Sequence, residues 1–547
     1  MWLDHGTAAF DEARERGLPV LVLISAARCP ASARMRRGLE ERAGALEGRF
    51  VLVSASREDH PEVDAEHRGA GWPTLAILGC DGTRSRRIET ADPEEAVTRL
   101  LSDEAAPSDL RRANHVAAVD RIGEVLLEAA DPEWGGWGAR QKFPHPDALH
   151  MLLVRWSETG DERMLRTVTR TLRSMQGRPI RDELDGGFYR YATERDWSAP
   201  SAEKPLLSNA KRLLAYAEAY QVLGEPSFRD TALDIAAWMD RALRDDATGA
   251  YRAGEELHPE AARLGTAEGR AALPSPTVDP TIHADRNAWA AMGLLKTGLV
   301  LEEPGLVLRA LAALDFVLAR MFEPSRGVYA YWNGTWNQPG DLRQQAAVLR
   351  ALVDAVHAAG ANRYLDPARA IAAWTDEHLS ASDGSFRGDL HQRELPAVER
   401  STEDLKANAL MAEGLLRLAV LTGEDRWQAR ARTALEAFLG AERSHGYEGA
   451  AYGRALDLLV HAPLHVTIAG PADDPLRADL ARAARRPYVA SRVTLTVDPA
   501  GEPGLGARLG IDPSSPSHAI VQRGGLTLAV TDDPQRLPAL MAGSERG

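Results

Sequence analysis

A short turn, in which glycine is followed closely by an aromatic residue, recurs six times along the 547-residue chain. Glycine allows a backbone turn that a side chain would obstruct, and the aromatic ring can pack the turn down. The copies lie roughly 50–80 residues apart, which leaves room for a helix, the turn and a second helix. The six copies contain Gly136-Trp137, Gly187-Phe188, Gly249-Ala250-Tyr251, Gly327-Val328-Tyr329, Gly384-Ser385-Phe386 and Gly446-Tyr447.

Twelve segments with apolar residues three and four positions apart alternate with these turns, as amphipathic helices require. They lie near residues 110–130, 146–159, 161–176, 206–223, 227–244, 284–301, 303–322, 341–360, 362–380, 402–422, 425–440 and 449–461. Each turn follows an odd-numbered segment and precedes an even-numbered one. Six successive helical hairpins predict a closed, all-α (α/α)6 six-hairpin barrel.

Charge and composition exclude several classes of protein. The formal net charge of −14 argues against broad binding of nucleic acid or anionic membranes, since both require clustered cations. No apolar run approaches the ~18 residues that span a bilayer, and the N-terminus lacks the order of a secretory signal. Two cysteines cannot build a disulfide framework. We therefore expect a cytoplasmic protein with no nucleic-acid or membrane partner, and composition leaves its oligomeric state open.

The first hundred residues alternate apolar strand-like runs with helical segments, which predicts a small α/β domain. The order resembles a thioredoxin-like fold. Cys29 follows the first central strand, where the redox motif of that fold belongs, and Pro73 matches its structural cis-proline. Ser32 stands where the second cysteine is expected, so an ordinary dithiol cycle cannot close. Two interpretations remain: a monothiol that forms mixed disulfides, or a scaffold retained for packing.

A chain of this length needs more than one core, and its last segment changes character. Strand-like runs begin at Leu464, Ser491, Ala519 and Leu526, with a helix between the first two. They predict either a small α/β appendage or strands that close one end of the barrel. The expected domains are 1–105, thioredoxin-like; 106–462, the barrel; and 463–547, a small α/β segment.

Polar and aromatic residues collect between each glycine turn and the next inner helix, and these segments should meet at one end of the barrel. Carboxylates that exchange protons and aromatic rings that stack on sugars are typical of carbohydrate sites. Acids at helix N-termini are also ordinary caps. The catalytic candidates are Glu203, Lys204 and Asp285. The substrate-binding candidates are His145, Arg190, Tyr191, Trp197, Asn209, Asn287, Trp289 and Glu403. No metal spacing or cofactor motif is visible, so neither is expected.

Several motifs together resemble the spermatogenesis-associated protein 20 family across nearly the whole chain. They include Trp72-Pro73, Lys142-Phe143-Pro144-His145-Pro146, Gly186-Gly187-Phe188, Arg190-Tyr191, Trp197 with Pro200, and Glu203-Lys204 with Asn209. The resemblance implies a thioredoxin-like region followed by a barrel similar to those of sugar epimerases and six-hairpin glycosidases. A shared fold is an analogy and does not establish an activity.

The chain also departs from this family's pattern. Ser32 replaces a cysteine, Ser201 a histidine, Ser208 an acid and Arg286 a tryptophan. Loss of the histidine and the acid removes groups able to transfer protons. The sequence thus predicts a diverged member whose barrel binds a carbohydrate-like or other polar small molecule, and whether it is an enzyme stays open. The alternatives are a non-catalytic scaffold or interaction protein, and a monothiol redox protein using Cys29.

Overall fold

The computed structural model describes residues 2–26, 29–67, 72–80, 82, 84–88, 90, 92–101, 108–264, 266–392, 400–523 and 526–543. The chain divides into two compact units, one of residues 1–121 with 439–441 and one of residues 122–438 with 442–547. The domain boundary predicted at residue 105 lies outside the described residues, and the boundary predicted at residue 462 stays a prediction.

The first unit is an α/β sandwich around a five-stranded mixed sheet. Its strand order is β1-β3-β2-β4-β5, with β1, β2 and β3 parallel and β4 and β5 antiparallel to their neighbours. The Trp72–Pro73 peptide bond is cis. The elements are β1 Leu3–Asp4, α1 Thr7–Arg16, β2 Val20–Ser25, α2 Pro30–Glu40, α3 Ala43–Glu47, β3 Val51–Ser56, α4 Pro61–His67, β4 Thr74–Leu78, β5 Arg84–Ile88 and α5 Pro93–Leu101.

Strand β2 shows why this sheet is apolar on both faces. Successive side chains of a strand point to opposite faces. Leu21 and Leu23 therefore join one core cluster, which includes Met35 of α2, while Val22 joins the other, which includes Ala13 of α1. A central strand covered on both sides reads as a continuous apolar run, which is how the sequence predicted it.

Twelve long helices follow this sheet among the described residues and lie close to the segments predicted from the sequence. A five-residue π-helical turn, Met239–Leu243, extends the fifth of them, α10. The twelve are α6 Ser108–Ala129, α7 Pro146–Thr159, α8 Glu162–Gln176, α9 Leu206–Leu223, α10 Pro226–Trp238, α12 Ala284–Val300, α13 Pro304–Met321, α14 Leu342–Ala359, α15 Leu365–Leu379, α16 Thr402–Thr422, α17 Asp425–Glu436 and α18 Ala450–His461, with a short α11, Ala267–Ala271, between α10 and α12.

Six of these helices form a closed inner ring, which establishes the (α/α)6 barrel. Helices α7, α9, α12, α14, α16 and α18 each pack on the next, and α18 returns to α7. Outer helices α8, α10, α13, α15 and α17 each pack against an inner helix. The inner helices are buried on nearly all sides, since they face both the outer ring and one another. The six predicted hairpins are confirmed.

Side-chain amides in the first two turns of four inner helices hold the glycine turns that precede them. Asn209 accepts the Phe188 N–H at 2.8 Å and donates to the Phe188 carbonyl at 2.9 Å. One amide thereby satisfies both polar groups of a buried residue, and such groups are costly to leave unpaired. The same pair of bonds joins Asn287 to Tyr251, Gln345 to Val328 and Asn408 to Phe386.

A buried cation also fixes several of these turns. Lys204 donates to Asp182 at 3.0 Å and to the Gly186 carbonyl at 3.2 Å. Lys142 makes the equivalent 2.7 Å bond to Asp131 in the first hairpin. The aspartates in turn accept backbone N–H groups of the turns that follow them. The repeated turn therefore owes its shape to a repeated aspartate–lysine pair as well as to glycine.

Short strands lie in the loops between the barrel hairpins. They form an antiparallel sheet β6-β7-β8 and a second sheet in which β11 pairs with β9, β10 and β12. The strands are β6 Glu203–Pro205, β7 Gly254–Glu256, β8 Thr277–Asp279, β9 Ile282–His283, β10 Phe322–Glu323, β11 Gly327–Trp332 and β12 Trp336–Pro339.

The C-terminal segment is a small α/β layer in the order β14-β13-β15-β16. Helices α19 and α21 cover the buried face of its sheet. Among the described residues, no helix is long and apolar enough to cross a membrane. The elements are β13 Leu464–Ala469, α19 Pro475–Arg485, β14 Val493–Val497, α20 Pro503–Arg508, β15 His518–Arg523, β16 Leu526–Thr531 and α21 Leu537–Gly543.

Candidate functional site

A cavity of about 110 Å³ lies within the inner ring of the barrel. That volume holds on the order of ten water molecules, the size of a single sugar ring with its substituents. Apolar side chains such as Trp289 and Met292 line it together with many charged ones, a mixture typical of small-molecule sites. The polar lining on the inner helices comprises His150, Glu218, Lys296, Arg350, Asp354, His357, Glu413, Arg417, Arg454 and Asp457.

His150 and Glu218 form a buried pair at this cavity. The Nδ1 atom of His150 lies 2.5 Å from Oε2 of Glu218. Burial opposes ionisation of Glu218, but the adjacent His150 lowers the pKa of that carboxyl to about 2. Because the Glu218 carboxylate accepts the Nδ1 proton, the other ring nitrogen, Nε2, is left to contact a ligand. Nε2 is buried and has no hydrogen-bond partner among the residues that the structure describes.

Glu413 ties three inner helices together beside this pair. Its Oε1 accepts from Arg454 Nε at 2.6 Å, and its Oε2 accepts from Arg350. Arg350 also donates to Asp354 at 3.1 Å. Burial opposes the charge on Glu413, yet Arg454 and Arg350 hold the pKa of its carboxyl below the ordinary value. The charges in this part of the cavity wall are therefore paired.

The C-terminal ends of the inner helices are covered by the segment between α19 and β14. Arg417 donates to the backbone carbonyls of Ala490 and Arg492, both at 2.9 Å. His357 Nδ1 accepts the Thr494 N–H at 2.7 Å. The C-terminal segment thus closes one end of the barrel, the second of the two arrangements that the sequence allowed.

The opposite end of the ring holds three of the predicted site residues. His145 Nδ1 lies 3.3 Å from Glu448, and burial lowers the pKa of its imidazole. Asp285 is buried and forms an ion pair with Arg343 at 3.3 Å. Glu403 is largely exposed and lies 3.5 Å from Lys406, which also contacts Glu448. The structure therefore connects His145 and Glu403 through Glu448 and Lys406. Of the predicted site residues, Trp289 lines the cavity itself.

The remaining predicted residues belong to the glycine turns and their surroundings. Lys204, Asn209 and Asn287 make the turn contacts described above. Glu203 pairs with Arg190 at 3.2 Å, and both side chains are about half exposed. Tyr191 stacks on Phe143, and buried Trp197 donates its indole N–H to the Trp134 carbonyl at 3.0 Å. These contacts stabilise loops outside the cavity lining, and a role in substrate binding stays a prediction.

One group could offer three donor atoms to a metal ion. Atoms of Glu158, Asp457 and His461 lie within 4.8 Å of one another. Arg155 already donates to Glu158 at 2.8 Å and to Asp457 at 3.3 Å. Burial and the nearby Asp457 raise the pKa of Glu158 to about 9. Arg155 therefore already holds both carboxylates.

In the first unit, Cys29 lies at the start of helix α2 and is half-buried. Its Sγ is 3.8 Å from the Trp72 carbonyl oxygen, next to the cis bond to Pro73. Hydrogen bonding to the Ser32 side chain has the largest effect in lowering the pKa of the Cys29 thiol, and the Ser32 backbone N–H lowers it further. Ser32 therefore assists the thiolate from the position where a second cysteine was expected.

The polar residues of the inner helices that line the cavity were not predicted from the sequence, because the predicted site residues were taken mainly from the segments before those helices. A signal was present. Arg350, Asp354 and His357 recur at helical spacing within the apolar helix α14, and Glu413 and Arg417 do so within α16. Charged residues on the inward face of a fully buried helix indicate a cavity or a buried ionic network.

The barrel is similar to that of a solved sugar-converting enzyme. The cellobiose 2-epimerase from Spirochaeta thermophila aligns with 64% of this chain and 97% of its own, at 16% identity and a TM-score of 0.51. A likeness at this identity shows the fold alone. No protein-family model matches the chain.

The chain is similar in sequence to spermatogenesis-associated protein 20 of rat and of mouse. Rat spermatogenesis-associated protein 20 is 27% identical over 316 residues, which cover 49% of this chain and 40% of the relative. The mouse protein is 23% identical over 594 residues, covering 80% of this chain and 75% of the relative. This chain thus spans about two fifths of the rat protein and three quarters of the mouse protein in these matches. In sequence, this chain is similar at modest identity to the spermatogenesis-associated protein 20 of rat, mouse and human.

Proposed function

We propose that the barrel binds a carbohydrate-like molecule about the size of one sugar ring in its axial cavity. The observation that carries this proposal is the free Nε2 of His150, buried at the cavity while Glu218 holds the other ring nitrogen. A buried ring nitrogen without a hydrogen-bond partner costs free energy, so its retention favours a ligand that forms a hydrogen bond with it. Sugar hydroxyls can form such a bond, and Trp289 offers an apolar face beside them.

The same geometry suits His150 to accept a proton from a bound ligand. A carboxylate that orients an imidazole and stabilises its protonated form is the usual support of a histidine base. Glu203, Lys204 and Asp285 lie outside the cavity lining, so the proposal assigns the ligand chemistry to His150 and Glu218. Whether a reaction follows binding depends on the ligand.

The ligand enters, in this proposal, from the N-terminal ends of the inner helices. The side chains there are partly exposed, 17% for His145 and 30% for Glu448, whereas that of His150 is 3% exposed. The other end of the ring is covered by the C-terminal segment. The similar barrel of a cellobiose epimerase is consistent with a sugar in this position.

A thermal-shift screen with neutral and acidic monosaccharides tests this proposal. We expect at least one sugar to raise the melting temperature, since a ligand that binds only the folded state stabilises it. His150→Phe keeps the ring but removes both ring nitrogens, and should abolish the shift. Glu203→Gln is the matched control, at an exposed carboxylate outside the cavity, and should keep it. Equal shifts in the two variants would reject the cavity as the site, and no shift with any sugar would favour the scaffold alternative.

A second proposal concerns the first unit, which we infer to be thioredoxin-like with a reactive single thiol. Its sheet order, the cis bond before Pro73 and the position of Cys29 at the start of α2 support it. We expect Cys29 to be alkylated with an apparent pKa below the ~8.5 of a free thiol, and Ser32→Ala to raise that value. Measuring alkylation rates against pH in a Cys80→Ser background isolates Cys29. A midpoint near 8.5 in both proteins would leave the unit as a packing scaffold.

A further inference from the structure

The cations at the closed end of the cavity, where the C-terminal segment covers it, have different hydrogen-bond and ion-pair partners from those in the rest of its wall. Elsewhere, Arg350 and Arg454 share the carboxylate of Glu413. At the closed end, the Arg417 guanidinium is held by backbone carbonyls of Ala490 and Arg492, which carry no net charge. Its Nε is buried without a hydrogen-bond partner among the described residues. The positive charge of Arg417 is therefore positioned without being neutralised.

Lys296 adds a second such charge to the same end. No described carboxylate lies within ion-pair distance of its Nζ, which lies over the face of the Tyr488 ring, 5.5 Å from the ring centroid. Burial lowers the pKa of Lys296 to about 8, with Glu218 opposing the shift. Buried cations are normally paired. An ammonium held at a cavity without a carboxylate is therefore a feature that a ligand can complete.

A third cation and a neutral histidine complete this closed end. Arg485 lines the cavity and donates to the Ala358 carbonyl at 3.1 Å. His357 is half-buried, and desolvation together with the surrounding arginines lowers the pKa of its imidazole far below the usual range. The closed end thus presents Lys296, Arg417 and Arg485 around a histidine that stays uncharged.

We propose that the cavity takes an anionic sugar, whose carboxylate or phosphate group lies against Lys296 and Arg417 at the closed end. This inference rests on the proposed function, since His150 would contact the same molecule. Glu218 interacts with both groups. Its carboxylate contacts Nδ1 of His150, and its negative charge raises the pKa of Lys296. A charged substituent at one end and a ring hydroxyl at the other would orient the sugar in a single direction.

Binding measurements with matched ligands test the inference. The ligands are glucose, glucuronate, glucose 6-phosphate and inorganic phosphate, measured by calorimetry and thermal shift. We expect one of the two acidic sugars to bind at least tenfold more tightly than glucose, and phosphate alone to raise the melting temperature. Glucuronate against glucose 6-phosphate distinguishes a carboxylate ligand from a phosphorylated one.

The variant Lys296→Met removes the charge and keeps the length of the side chain. It should abolish the binding of phosphate and the preference for the acidic sugar over glucose. Arg163→Met, at an exposed position on outer helix α8, controls for net charge and should bind like the wild type. If Lys296→Met does not fold, competition between phosphate and the acidic sugar on the wild type decides the matter, with competition expected.

The outcomes separate this inference from the proposal on which it rests. Glucose binding as tightly as both acidic sugars, or no competition by phosphate, would overturn the anion site while leaving sugar binding intact. Phosphate binding that Lys296→Met abolishes supports the anion site even when glucose does not bind measurably. If neither sugars nor phosphate bind, the inference and the proposed function fail together.

Discussion

Replacing Lys204 by methionine should lower the free energy of unfolding of the barrel by about 3–5 kcal/mol. The Lys204 ammonium is fully buried and lies 3.0 Å from Asp182 and 2.8 Å from Glu255. Methionine fills the same space but leaves Glu255 without its cation and Asp182 with Arg270 alone. An uncompensated buried carboxylate is among the most destabilising changes known for single substitutions.

Urea denaturation followed by circular dichroism measures this loss as a shift of the barrel transition. Arg190→Met is the matched control, because Arg190 pairs with Glu203 nearby but both side chains are about half exposed. An exposed pair contributes little, so we expect a loss of about 0.5 kcal/mol or less. If Lys204→Met cost no more than this control, the buried pair would not be what fixes the second turn, and a role for Lys204 in ligand chemistry would regain support.

Replacing Glu413 by glutamine should cost about 3 kcal/mol of stability at neutral pH, because it leaves Arg350 and Arg454 facing a neutral amide inside the barrel. The effect depends on pH in a defined direction. The pKa of Glu413 is lower in the folded state than its ordinary 4.5. Its contribution is therefore complete above about pH 4.5 and is lost as the pH falls through the folded value.

The difference between wild type and Glu413→Gln should accordingly shrink in acid, as measured by thermal denaturation between pH 3 and 8. Glu124→Gln serves as the control, since Glu124 pairs with Arg163 where both side chains are about half exposed. A difference that stayed constant across this pH range would show that Glu413 acts through packing rather than through its charge.

The barrel was predictable because its turns depend on local chemistry. A glycine followed closely by an aromatic residue is visible in the sequence, and six such turns in phase with twelve amphipathic segments together predicted the hairpins. Asn209 was predicted from the sequence as a substrate-binding residue. Its bonds to Phe188 were not predictable, since they join residues across a turn whose geometry the sequence does not specify.

The site was harder to predict than the fold. Lys204 lies just before inner helix α9, yet its side chain turns back to Asp182. The direction of a side chain near a helix start depends on the path of the preceding loop, which periodicity does not reveal. Within the helices, by contrast, periodicity does assign an inward face, and His150, Glu218 and Lys296 follow it.

A crystal structure of the protein with the sugar that gives the largest thermal shift tests the central claim most directly. We predict that the sugar occupies the axial cavity, with a hydroxyl within about 3.2 Å of His150 Nε2 and the ring beside Trp289. A sugar bound instead at the exposed Arg190 and Glu203, with His150 Nε2 contacting only water, would contradict the assignment of the site to the barrel axis.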